Sequence, residues 1–115
     1  MVFHPFAVHA MPIIDQMDAS GFSKLFADEC VFKFGNNPAS TSPAEIEASV
    51  SAFFSSIAGC SHVTLSTDYI EEKKRLYWKG EVTYTRRDEE NSKLTIPFIN
   101  VITLAEDKKC SSYEM

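Results

Sequence analysis

Asn100 sits in the middle of IPFINVITL, residues 96–104, a stretch apolar at almost every other position. A strand of this kind is normally buried on both faces, and an amide buried there without a partner costs roughly 1–3 kcal/mol. An amide donates hydrogen bonds at any pH, which makes Asn100 a candidate donor to an oxygen that gains charge during a reaction. The alternative is an asparagine bonded to a neighbouring loop carbonyl. Phe98 and Ile102 share its strand face and would frame it with apolar surface, where one hydrogen bond is worth more than in water. Groups that move protons lie elsewhere. His62 opens a strand candidate, and histidine is the side chain best suited to carrying a proton at physiological pH; a partly exposed strand-end histidine is the other reading. Asp68 alternates with His62, Thr64 and Ser66, giving either an inward base or a surface carboxylate. Tyr84 and Arg86 continue one face of the next strand, where a tyrosine donates to a carbonyl and an arginine holds a carboxylate or an enolate, unless Arg86 pairs in solvent with Asp88 or Glu89. Trp78, on that same face, is a ligand platform, a core residue or part of a dimer interface. Phe54 is either helix-to-sheet core or cavity wall. Asp15, near the end of an apolar helix, points at a pocket rim, and Asp18 reads as a helix cap.

Other chemistries lack their signatures. There is no nucleophile elbow, no phosphate loop and no dinucleotide fingerprint, so no organic cofactor is implied. His4 and His9 lie five residues apart, off a common helical face, with no third ligand in view, so no metal site is expected. The formal charge is −5 and the pI near 5.1. Without a basic stripe, neither nucleic acid nor an anionic membrane is an expected partner. No run approaches the roughly 20 apolar residues of a membrane helix, and the N-terminus lacks a basic segment ahead of a long apolar one. Cys30, Cys60 and Cys110 are spaced by thirty and fifty residues, matching no metal motif. They read as free thiols of a reducing cytosol, so a cytoplasmic location is expected.

The positioning elements follow from periodicity. The 115 residues suit one domain, 1–115. Phe3, Phe6, Ala7, Ala10, Ile13, Ile14 and Met17 recur at helical spacing, with Pro12 expected to kink or restart the helix. After the break at residues 18–21, Phe22, Leu25 and Phe26 form one face of a short second helix. CVFKFG, residues 30–35, alternates as a first strand. A turn-rich loop follows. Ser42 caps a third helix, with Pro43 at its first position and Glu45 three residues on. That helix buries Ile46, Val50, Phe53, Phe54 and Ile57 and ends at Gly59. Residues 62–71, 75–87, 93–104 and 110–115 then read as strands joined by short turns, an antiparallel meander. In the second of these, Leu76, Trp78, Gly80, Val82, Tyr84 and Arg86 make the core-facing set, and Gly80 marks a bend or bulge. Helices first and strands second predict an α+β domain with helices on one face of the sheet.

This order, with the wording DQMDASGFSKLFADECVFKFGNNP, SPAEIEASVSAFFSSIAGCSHVTL and LTIPFINVITLAEDKK, resembles the nuclear transport factor 2-like superfamily, its SnoaL-like branch most closely, with a fungal flavour to the Phe-Gly-Asn and Tyr-x-Arg wording. The resemblance implies a cone-shaped α+β fold in which N-terminal helices and a strongly curved antiparallel sheet enclose a dead-end pocket. Members usually end in a longer last strand; here it is expected to be short or truncated, leaving one cone wall thin. The ketosteroid isomerases of this superfamily transfer protons in that pocket and the SnoaL-like cyclases close rings there. Asn100 lines up with the position where the isomerases hold a protonated acid, whereas Phe34 falls at their base and Ala10 at their oxyanion tyrosine. The expectation is a cofactor-independent isomerase or cyclase acting on a small apolar carbonyl compound of polyketide or terpenoid type. Asn100, His62, Asp68 and Tyr84 would carry the chemistry, and Phe98, Ile102, Trp78, Arg86 and Phe54 would bind substrate, with no metal. The alternative is a non-catalytic ligand-binding or dimerisation module, pairing as a homodimer through the convex sheet face with Tyr77, Thr83, Ile99 and Val101.

Overall fold

The first helix, α1 (Pro5–Asp15), begins where His4 Nδ1 accepts the Phe6 backbone N–H at 3.1 Å and Pro5 supplies its first turn. The computed structural model describes residues 2–115. Pro12 lies inside α1 without ending it. A short α2 (Ala19–Ser23) starts at Asp18, whose Oδ1 accepts the Gly21 N–H at 2.9 Å. Strand β1 (Phe26–Lys33) follows and begins four residues before the sequence pattern predicts, because Phe26 already pairs with Cys110. Helix α3 (Pro43–Ser55) starts at Ser42, whose Oγ accepts the Glu45 N–H at 3.2 Å. It buries Ile46, Val50 and Phe54. It also stops before Gly59: pairing of Ile57, Gly59 and Cys60 with the next strand overrides the helical pattern. Strands β2 (Ile57–Ile70), β3 (Arg75–Arg86), β4 (Lys93–Leu104) and β5 (Cys110–Glu114) complete the chain.

The strands form one curved sheet in the order β1-β5-β4-β3-β2. β2 to β5 run as the expected antiparallel meander, while β1 joins β5 in parallel, so the sheet is mixed. Short as it is, β5 lies inside the sheet between β1 and β4. Its Tyr113 joins Phe22, Phe26 and Phe32 in an aromatic cluster with ring centroids 5.3–6.0 Å apart. The main core lies between the helices and the concave face, where Ala10, Ile46, Leu76, Trp78, Val82 and Ile102 are fully enclosed.

One irregularity sets which side chains face that core. Between Thr64 and Ser66 the β2–β3 register slips by one residue, so Thr64 opposes Gly80 but Ser66 opposes Lys79. Leu65 is the extra residue, and the strand's alternation inverts beyond it. The slip brings backbone against Gly80: a Cβ there would stand 2.1 Å from the Val63 carbonyl oxygen and 2.9 Å from the Phe98 ring. Gly80→Ala is therefore expected to lower stability by about 1–3 kcal/mol through overpacking, read as a lower urea midpoint; an unchanged midpoint would show that the bulge tolerates a methyl group.

Burial pushes the Cys110 thiol up from 9.0 to about 12, and the enclosed Tyr113 phenol is raised as well, again chiefly by burial. Both groups hold their protons more tightly folded than unfolded. Their stability contribution is full below the unfolded thiol range and is lost as pH rises through the folded values. Urea midpoints should be flat from neutral pH to about 9 and then fall, with a flatter alkaline limb in Cys110→Ala; a pH-independent midpoint up to pH 11 would contradict the burial of these groups.

Candidate functional site

The last turn of α1 carries a carboxylate, where the helix dipole disfavours negative charge. Asp15 is held there by β2. His62 Nδ1–H donates to Asp15 Oδ1 at 2.6 Å, and the His62 backbone N–H donates to Oδ2 at 3.1 Å. The Cys60 thiol donates more weakly to Oδ1, at 3.9 Å. A carboxylate only accepts, so the ring proton sits on Nδ1 and Nε2 is the nitrogen left for chemistry. Cys60 and His62 alternate onto the same face of β2, with Sγ 3.6 Å from Nδ1. The imidazole side chain is 6% exposed. Its faces are packed by Phe98, edge-on at 5.3 Å between ring centroids, and by Trp78 at 6.3 Å.

The Cys60 thiol touches the same imidazole nitrogen that Asp15 occupies, so His62 does not stand to it as a base stands to a nucleophile. Burial, followed by the nearby Asp15 charge, pushes this thiol up to about 12. It is a protonated donor to the pair.

Asn100 opposes Trp78 across β3 and β4 and is 1% exposed. Its Oδ1 has no hydrogen-bond partner among the described residues. That amide lines a cavity of about 60 Å³ together with Cys60, His62, Tyr84, Phe54 and Phe34. Asn37 and Ser49 also line it and are exposed, which marks the mouth. Burial, then the neighbouring Cys60, pushes the Tyr84 hydroxyl up to about 12, so it remains a donor through neutral pH.

The structure thus brings together four of the residues singled out in the sequence, Asn100, His62, Tyr84 and Phe54. Others it places elsewhere. Asp68 is exposed and opposes Tyr77 on the outer face, because the Leu65 bulge inverts the alternation that put it beside His62. Thr67 takes the inward place and accepts the His4 N–H. Arg86 is exposed at the end of β3 and does not line the cavity. Trp78 is fully buried, its indole N–H donating to Thr64 Oγ1 at 2.9 Å. Phe98 and Ile102 are core residues behind the wall; Phe98 supports His62 rather than meeting a ligand. Cys60 is the member that sequence reasoning missed, and Asp15, read there as pointing at a pocket rim, is bound to His62.

No protein-family model and no curated protein matches the chain. Solved structures do. A hypothetical protein with a ketosteroid isomerase-like fold from Catenulispora acidiphila, in complex with trimethylamine, superposes with a TM-score of 0.87 at 7% identity, over 98% of this chain and 85% of that one. The chain has the nuclear transport factor 2-like fold. A second protein of this NTF2-like fold, of unknown function, from Burkholderia pseudomallei, superposes with a TM-score of 0.79 at 14% identity, over 94% and 84% of the two chains. The epoxide hydrolase/cyclase-like enzyme SalBIII, of pyran ring formation in the polyether salinomycin, gives 0.80 at 11% identity over 94% and 84%. At these identities the likeness concerns the fold, and the NTF2-like fold hosts the site without dictating its chemistry.

An unpaired buried amide destabilises its host. Asn100→Leu removes it while keeping similar volume, so the folded state is expected to gain about 1–3 kcal/mol, measured by denaturant unfolding. A loss of that size would mean instead that the amide is bonded internally.

Proposed function

We propose that the chain is a cofactor-independent SnoaL-like enzyme that isomerises or cyclises a small apolar carbonyl compound, of polyketide or terpenoid type, through an enol. The observation that carries this reading is that His62, held by Asp15, lines the same largely apolar cavity as Asn100, whose Oδ1 has no hydrogen-bond partner among the described residues. His62 Nε2 takes a proton from the carbon beside the substrate carbonyl. The C–H electron pair moves into the carbonyl and leaves an enolate oxygen. The Asn100 amide N–H and the Tyr84 hydroxyl donate to that oxygen, and Asp15 steadies the imidazolium that forms. Isomerisation follows when His62 returns the proton to a different carbon. Cyclisation follows when the enolate carbon attacks a second carbonyl and the new alkoxide takes the proton from His62. The cavity of about 60 Å³ accommodates the reacting group, and the body of a larger substrate extends through the mouth beside Asn37 and Ser49. The occurrence of a cyclase-like enzyme on the same fold supports the reading by analogy. The cytoplasm suits it, since Cys30, Cys60 and Cys110 are all free thiols.

Proton exchange tests this without knowledge of the natural substrate. Incubated with small cyclic ketones in heavy water, the protein should accelerate deuterium uptake beside the carbonyl. His62→Ala should slow exchange by about 10²–10⁴-fold, and Asn100→Leu by about 10²–10³-fold while leaving the fold intact. Equal exchange by wild type and His62→Ala would overturn the assignment.

A second reading, that the fold serves as a dimerisation module, draws on the outer sheet face. Val63 and Leu65 are each 57% exposed there and Ile99 is 45% exposed. Lys79 and Glu81, two residues apart on β3, stand among them opposite Ile99 and Pro97. A second copy docked about a two-fold axis passing over Gly80 would set each Lys79 against the Glu81 of the other chain. Light scattering should then give twice the chain mass, falling to the monomer in Ile99→Asp; a wild-type monomer at micromolar concentration would rule the interface out.

A further inference from the structure

Asp15, Cys60 and His62 offer a carboxylate oxygen, a thiol sulfur and an imidazole nitrogen that all lie within 4.8 Å of one another. We propose that these three side chains form a binding site for a thiophilic divalent cation of the zinc class, and that occupancy switches off the proton-moving pair. The site rests on geometry alone; its inhibitory consequence rests on the isomerase reading above.

The spacing is close to what such an ion needs. Bonds of about 2.3 Å to sulfur and 2.0–2.2 Å to nitrogen and oxygen, at tetrahedral angles, place ligand atoms roughly 3.3–3.6 Å apart. Cys60 Sγ lies 3.6 Å from His62 Nδ1 and 3.9 Å from Asp15 Oδ1. Only the Asp15–His62 pair, at 2.6 Å, must open, by about 0.7 Å for that tetrahedral spacing. Two of the ligands alternate on one strand face and the third is the last residue of the facing helix, so the scaffold that holds the pair also holds the site. A thiolate in the set selects zinc, cobalt or copper over magnesium and calcium, which prefer oxygen. The thiol keeps its proton in the apo site, but a divalent charge at bonding distance favours its release.

A second observation points to the fourth position. Asn100, 1% exposed and with Oδ1 unpartnered, lines the cavity that Cys60 and His62 also line. The cavity leaves room beside Cys60 and His62 for a water as the fourth ligand. The consequence for chemistry follows from the tautomer. An ion on Nδ1 obliges the neutral ring to carry its proton on Nε2, so the nitrogen that served as base becomes a donor.

Cobalt is the direct probe. Titration of the reduced, metal-free protein with Co²⁺ should produce tetrahedral d–d absorption and a thiolate-to-cobalt charge-transfer band, at one equivalent. Zn²⁺ should bleach both, and Mg²⁺ should not. Cys60→Ser should abolish the charge-transfer band although Cys30 and Cys110 remain. Asp15→Asn should weaken Co²⁺ binding by at least the roughly 10–100-fold that loss of an outer-shell partner costs. No band, or a band retained in Cys60→Ser, overturns the site. With the band present, one equivalent of Zn²⁺ should abolish deuterium exchange and a chelator should restore it; exchange unaffected by Zn²⁺ overturns the switch and leaves the site standing. If the metal-free protein catalyses no exchange, the isomerase reading and the switch fail together, and the cobalt band alone decides the site.

Discussion

The short hydrogen bond from His62 to Asp15 joins the end of the first helix to the second strand across 47 residues. Both carboxylate oxygens are engaged, one by the imidazole and one by the backbone N–H of the same histidine. A negative charge in the last turn of a helix meets the wrong end of the dipole, and a group of donors from the sheet offsets that cost. The interaction therefore does two things at once. It docks α1 over the concave face, and it fixes the imidazole with one nitrogen tied and the other free.

Everything in the site depends on the sheet presenting the right faces to that docked helix. Gly80 admits the backbone of β2 where a side chain would collide, and the bulge at Leu65 lets β2 bend over the core. Ahead of the bulge, Cys60 and His62 point inward; beyond it Thr67 does, and Asp68 turns outward. The same curvature lets β4 bring Asn100 against the cavity while Phe98 and Trp78 close the space behind His62. Packing thus fixes the rotamers of the groups that face the hollow, the preorganisation that stabilisation of developing charge demands.

How much of this was legible in the sequence varied with the range of the signal. Asn100 stood out because one residue broke an otherwise apolar strand. The third helix and the meander were legible because capping residues, periodicity and short turns are local. Asp68 was misplaced for a physical reason: alternation is read by parity, and a single extra residue inverts parity without leaving a mark at the bulge itself. The parallel pairing of β1 with β5 joins segments some eighty residues apart and has no local signature. Asp15 did carry a signal, an acid in the final turn of an apolar helix against the dipole, and such local conflicts tend to mark functional positions. Its partner could not be named, because nothing in the spacing of residues 15 and 62 says that they meet.

The measurement closest to the central claim is ¹⁵N NMR of the His62 ring across a pH series, in wild type and in Asp15→Asn. The account predicts that, wherever the wild-type ring carries a single proton, that proton sits on Nδ1 and Nε2 bears the lone pair, and that Asp15→Asn gives a mixture of tautomers. A singly protonated wild-type ring with its proton on Nε2, or one indifferent to the Asp15 substitution, would show that the carboxylate does not set the imidazole and would contradict the account at its root.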